Sequence, residues 1–189
     1  MKVKPQTITD KEADRIEVDG GILEWIIANT TLTPLALKFL EEERKIKKDI
    51  YEQMNIKALD DANDIIQRLT DRFGIKCLLD NNILSVTEYG YKLTWDTPCL
   101  LFPFYNLEGK LVNIQSRFLG PISGKYPPRF RFIKNSKTSL FNVSILNDLE
   151  YGDSVLVTEG VTDALAAMSC GVKTIAVAGA SAFKEEYAE

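Results

Sequence analysis

The chain has 189 residues, 45% apolar and 26% charged, with a formal net charge of −4, enough for one large domain or two small ones with a genuine core. No apolar run approaches the ~20 residues of a membrane span and no secretory signal is visible, so a cytoplasmic protein without a membrane partner is expected. Histidine is absent and the three cysteines, Cys77, Cys99 and Cys170, lie far apart without paired spacing, which argues against zinc and fits reduced cytosolic thiols.

Residues 1–95 read as a mainly helical region. A polar tail gives way to the apolar Ile22-Leu23-Glu24-Trp25-Ile26-Ile27, which predicts a helix. Thr33-Pro34 opens a second one, with proline at the first helical position and Leu35, Leu37, Phe39 and Leu40 as its apolar residues. The charged run Glu41 to Lys48 reads as a solvated helix face with opposite charges at helical spacing. Asp64 to Phe73 gives an amphipathic helix with Ile65, Ile66 and Leu69 inward and Gly74 at its end. Asp60, Asp61 and Asp64 sit at its start, where the helix dipole favours acids, so capping is preferred to metal binding. Ile83 to Trp95, with a turn at Tyr89-Gly90-Tyr91, predicts a β-hairpin and so a winged-helix-like unit.

Residues 96–150 read as a mixed hairpin region. Leu100 to Phe104 and Leu111 to Phe118 bracket Asn106-Leu107-Glu108-Gly109, the pattern of two buried strands around a glycine-containing turn. From Gly109 to Asn147 there are seven basic residues and no acid: Lys110, Arg117, Lys125, Arg129, Arg131, Lys134 and Lys137. Outside that window stand 16 basic against 27 acidic residues. A positive band in an acidic chain is the footprint expected for a phosphate backbone. Phe118, Tyr126, Phe130 and Phe132 are interleaved with it and would either stack on bases or pack in a core. The glycines and prolines of Gly120 to Pro128 mark a loop suited to a single strand rather than to base-specific readout.

Residues 151–189 contain a strand–helix–strand pattern. Ser154 to Thr158 predicts a buried parallel strand, broken by Glu159-Gly160. Thr162 to Ser169 predicts a helix, with Thr162 as a candidate N-cap and Gly171 just past its end. Thr174 to Ala178 predicts a second buried strand. A right-handed crossover brings both strands to the same edge, so Glu159 neighbours the turn Gly179-Ala180-Ser181. Ligands bind at that edge of open α/β sheets. The residues leave two readings of Glu159 open, a cap of the following helix and a metal ligand or general acid/base. Asp163, one turn on, either faces the same edge or solvates the first helical turn.

Val157-Thr158-Glu159-Gly160-Val161-Thr162-Asp163-Ala164, with the Ala178-Gly179-Ala180-Ser181 turn, resembles the opening half of a Toprim domain as found in bacterial DNA primases and phage primase-helicases. Leu101-Phe102-Pro103-Phe104, Glu108-Gly109-Lys110 and Ser116-Arg117 are similar to the primase hairpin that ends in an arginine on the nucleic-acid face. Arg131-Phe132 and Thr138-Ser139-Leu140-Phe141 are similar to the segment that follows it. Leu37 to Ile56 resembles, more loosely, the helix-turn-helix unit ahead of the primase polymerase core.

The resemblance implies an α/β fold: an α+β N-terminal region followed by an incomplete Toprim-like strand–helix–strand parallel unit. It implies Glu159 as the functional acid and magnesium ligand, Asp163 as its companion acid, and Gly160, Gly179, Ala180 and Ser181 as the loops beside them. Arg117 and Arg131 would hold template or incoming nucleotide, with Lys125, Arg129, Lys134 and Lys137 on the same nucleic-acid face. The implied activity is magnesium-dependent RNA primer synthesis on single-stranded DNA from ribonucleoside triphosphates, beside a replicative helicase. The family's Asp-x-Asp pair and separate zinc-binding domain have no counterpart in these residues, so a fragment unable to make primers by itself is expected. A Toprim nuclease or topoisomerase, and a non-catalytic single-stranded DNA-binding module, are the alternatives.

Overall fold

The computed structural model describes residues 15–124 and 127–177. Helix α1 (Gly20–Ala28) is capped by Asp19, whose carboxylate accepts from the Gly21 N–H, and it buries Ile22, Leu23, Ile26 and Ile27. Thr33 caps α2 (Pro34–Leu37), accepting from the Ala36 N–H, and α2 continues as a π-helical stretch, Lys38–Glu43. The charged run is not one solvated face. Its helix stops at Glu43, Lys45 takes a left-handed φ of 55°, and α3 (Lys48–Gln53) begins in a new direction. The reversal has a physical cause: Ile46 is 2% exposed, and burying it requires the chain to turn inward between two charged segments.

Strand β1 (Lys57–Leu59) precedes α4 (Ala62–Phe73). That helix starts before the expected Asp64, because the capping acid is Asp61, which accepts from the Asn63 N–H. Asp64 instead pairs with Arg68 one turn on, so both acids serve the helix. Gly74, at a φ of 78°, allows the sharp passage into α5 (Ile75–Asp80). Strands β2 (Leu84–Thr87) and β3 (Gly90–Leu93) form the expected hairpin, with Gly90 opening β3 rather than sitting at the centre of the turn.

Strands β4 (Cys99–Tyr105), β5 (Leu111–Phe118) and β6 (Phe130–Arg131) join β1 in an antiparallel sheet ordered β1-β4-β5-β6. β4 is buried on both faces, which explains its unbroken apolar sequence. Cys99 and Leu101 face a cluster with Ile22, Ile26, Leu69 and Trp95, while Leu100, Phe102 and Phe104 face one with Phe39, Leu40, Tyr51 and Leu165. Both clusters draw on residues from more than one of the sequence segments, so the sheet is the shared wall between two helical layers.

A 3₁₀ turn (Val143–Asp148) leads to β7 (Leu156–Thr158), α6 (Val161–Ser169) and β8 (Thr174–Ala176), and β7 and β8 pair in parallel as expected. Two expectations are corrected. Thr162 is not the N-cap; Gly160 is, and Thr162 lies buried inside the first turn. Nor is β7 a buried strand, since Leu156 and Val157 are 44% and 52% exposed. Among the described residues β7 pairs only with β8, and β8 is bridged on its far side by Phe141. Ala178 lies outside the described residues. No helix among those residues is long and apolar enough to cross a membrane.

Candidate active site

Glu159 and Gly160 follow β7 at its carboxyl end, and α6 carries Val161, Thr162 and Asp163 in its first turn. These five residues line an open cleft of about 520 Å³ together with Arg44, Gln115, Arg117 and Phe130. The floor is set by packing. Val161, Ala164 and Leu165 of α6 are fully buried in the cluster that includes Phe39, Leu40 and Ile46, so α6 cannot shift without opening that core. Gly160 matters by its lack of a side chain, because a Cβ there would stand 3.1 Å from Asp163 Oδ2.

Four charged groups meet in the cleft. Arg44 Nη2 donates to Asp163 Oδ1 at 2.5 Å and to Thr162 Oγ1 at 3.2 Å. Arg117 reaches over from β5, its guanidinium 3.7 Å from the Phe39 ring centroid and 5.8 Å from that of Phe130. Burial, and then the like charges of Arg129 and Arg44, push Arg117 down to about 10. Glu43 acts in the opposite direction, and a half-buried cation beside like charges gains from any nearby anion, which relieves both the repulsion and the lost hydration. Glu159 is exposed and lines the same cleft.

The other basic residues divide. Arg129 Nη1 donates to the Phe118 carbonyl at 3.2 Å and is close enough to depress Arg117. Arg131 does not reach the Glu159 cleft. It pairs with Asp96 at 3.3 Å, which also pairs with Lys92 at 3.0 Å. Arg131, Lys134 and Lys92 line a separate cleft of about 350 Å³ beside the β2–β3 hairpin. Lys137 is paired with Glu17 at 2.7 Å. Lys125, Tyr126, Gly179, Ala180 and Ser181 lie outside the described residues.

Sequence reasoning missed Arg44 and Gln115. Arg44 sits inside Glu-Glu-Glu-Arg-Lys-Ile-Lys-Lys, where nothing separates it from its solvated neighbours except the apolar Ile46 that forces the turn. Gln115 is a 4%-exposed polar residue in the middle of an apolar strand, a signal that was available.

Among the described residues no three His, Cys, Asp or Glu side chains cluster as a metal site. Glu159 and Asp163 are hard oxygen donors, and magnesium is commonly held by one or two carboxylates plus phosphates and waters. The cleft therefore offers carboxylate oxygens of the kind a magnesium ion takes, from Glu159 at the end of β7 and from Asp163, which also pairs with Arg44.

No protein-family model and no curated protein matches the chain. Solved structures do. The RNA polymerase domain of Mycobacterium tuberculosis primase DnaG, in complex with a double-stranded DNA oligomer carrying a 6-nucleotide overhang, superposes with a TM-score of 0.72 at 17% identity over 89% of this chain and 55% of that one. The Aquifex aeolicus primase, comprising zinc-binding and RNA polymerase domains, gives a TM-score of 0.69 at 17% identity over 83% and 41%. A DnaG primase catalytic domain bound to single-stranded DNA gives 0.64 at 17% identity over 85% and 53%. The chain thus shares the α/β fold of primase catalytic domains and spans about half the length of the solved structures it matches.

Proposed function

We propose that this chain is part of a DNA primase polymerase domain, one that makes RNA primers on single-stranded DNA from ribonucleoside triphosphates in a magnesium-dependent reaction alongside a replicative helicase. The observation that carries the reading is the meeting of Arg117 and Glu159 across one cleft, in a chain with the fold of primase catalytic domains. That some of those neighbours were solved with single- or double-stranded DNA supports a DNA template as the partner.

Magnesium, when bound, neutralises triphosphate charge and lowers the cost of generating the attacking hydroxyl. Glu159 would hold it. Arg117 would take the phosphate oxygens opposite, where burial on Phe39 strengthens each charged hydrogen bond. Asp163, and the loop containing Gly179, Ala180 and Ser181, complete the proposed surroundings. Arg129, Arg131, Lys134, Lys137 and Lys125 would track the template backbone.

The test is primer synthesis on a single-stranded template with magnesium and ribonucleotides, in a longer protein that contains this chain. Glu159→Gln should keep the fold and template binding and lower synthesis by about a hundredfold or more. Near-normal synthesis would reduce Glu159 to a helix-terminal acid. Because the described cleft carries only two carboxylates, too few oxygens for a two-metal site, the 189-residue chain alone should bind template without extending primers, and extension by it would overturn that expectation.

A further inference from the structure

We infer that Arg44 is a positioning residue of the cleft, and that Asp163 serves as the anchor of the helix after Glu159 rather than as a second metal ligand. Arg44 grips the first turn of α6 twice, through the Asp163 carboxylate and the Thr162 hydroxyl. The residues just beyond it grip the other end: the Lys47 N–H donates to Ser169 Oγ at 3.0 Å, and that hydroxyl donates to the Leu165 carbonyl at 2.8 Å. One short segment, Arg44 to Lys47, therefore holds both ends of α6, with buried Ile46 between them. Glu159 stands two residues ahead of that helix, and its place relative to Arg117 is inherited from it.

The chemistry of Asp163 points the same way. A carboxylate whose Oδ1 is taken by a guanidinium has only its second oxygen left to offer a hard cation. Both side chains are partly exposed, at 36% and 59%, so the pair contributes modestly to global stability and its effect is local order.

The tether stands on the geometry alone; its catalytic consequence rests on the reading of Glu159 above. Amide hydrogen exchange on the 189-residue chain tests the first. Arg44→Ala and Asp163→Asn should each speed exchange in residues 160–165 by about two- to fivefold, and the double variant should be no faster than either single one. Arg44→Asp combined with Asp163→Arg should recover protection. Additive effects, or no change, would overturn the tether.

Primer synthesis in a longer protein tests the second. Both single variants should lower turnover with template affinity and magnesium requirement unchanged, and Arg44→Lys should restore most of it. A raised magnesium requirement for Asp163→Asn but not for Arg44→Ala would make Asp163 a metal ligand and overturn the assignment. Weaker single-stranded DNA binding by Arg44→Ala would make Arg44 a template contact instead, with the same result. If the parental protein makes no primers, the reading of Glu159 fails while the exchange result still decides the tether.

Discussion

The guanidinium of Arg117, on the central strand β5, lies over the ring of Phe39 from the π-helical stretch, at 3.7 Å from its centroid. The stacking joins the sheet to the helical layer and points the charge into the Glu159 cleft. Among the described residues no ion pair includes Arg117. The ring face offsets part of the lost hydration, and what remains favours an incoming anion.

Arg117→Met should therefore separate stability from binding. A cation held below its ordinary value opposes folding at every pH below about 10, and the opposition fades only as the pH rises from there toward the ordinary arginine range. At pH 7 the methionine variant, which keeps contact with Phe39, should be as stable as the parent or more so, yet bind single-stranded DNA more weakly. Urea unfolding and anisotropy titration check this; a stability loss above about 1 kcal/mol would show that the charge itself supports the fold.

Salt dependence should rank the basic residues. With about four phosphates neutralised, the log–log slope for single-stranded DNA should be roughly −3. Arg117→Ala should reduce it by somewhat under one unit. Lys137→Ala should change it less, because Lys137 already has Glu17 as counter-ion and releases less on binding. Lys47→Ala, exposed and away from the cleft, should do almost nothing. Equal losses from Lys47 and Arg117 variants would remove the cleft as the nucleic-acid site.

Gly160→Ala should destabilise the chain by about 1 kcal/mol, through a poorer N-cap and the displacement of Asp163. The loss should shrink in an Asp163→Ala background to what the poorer cap alone costs, because the new methyl then no longer meets the Asp163 carboxylate. Chemical denaturation of the four proteins gives the cycle; an undiminished loss would show that the cap alone is responsible.

Alkaline pH should weaken the fold. Burial pushes the Cys99 thiol from 9.0 up to about 12, and burial with the hydrogen bond to Glu41 pushes Tyr51 from 10.0 to about 12. Both groups hold their protons longer when folded, so their contribution is complete below pH 9 and declines as the pH climbs toward 12. Cys99→Val should flatten the decline in Tm between pH 8 and about 10.5. In the native state a thiol reagent should label exposed Cys170 rapidly and Cys99 only on unfolding; rapid labelling of Cys99 would contradict its burial.

Much of this molecule was legible in its residues because the signals were local. Thr33-Pro34 starts a helix by satisfying an orphan amide and fixing φ, Gly74 ends one, and the apolar runs around Asn106 to Gly109 pair because a two-faced buried strand has no polar residue to expose. The strand–Glu-Gly–helix pattern located Glu159 for the same reason. The misses were of another kind. Thr162 has the chemistry of a cap, yet Gly160 takes that position and Thr162 is buried where Arg44 meets it. Leu156 and Val157 have the composition of a buried strand, but burial depends on what covers a strand, and among the described residues β7 pairs with β8 alone.

The sequence by itself determined several of the helices, the central hairpin, the acid at the end of β7 and the sign of the charge between Gly109 and Asn147, since propensity, capping and charge belong to neighbouring residues. Which charges share a site was decided only by the tertiary structure. Arg117 and Arg131 both lie in the basic band, yet the antiparallel sheet and the Asp96 pair send them to different clefts. Arg44, distant in sequence and hidden in a charged run, is brought to Asp163 because burying Ile46 turns the chain toward α6. Coulombic partners are chosen by distance in space, and that distance is fixed by which apolar faces pack together.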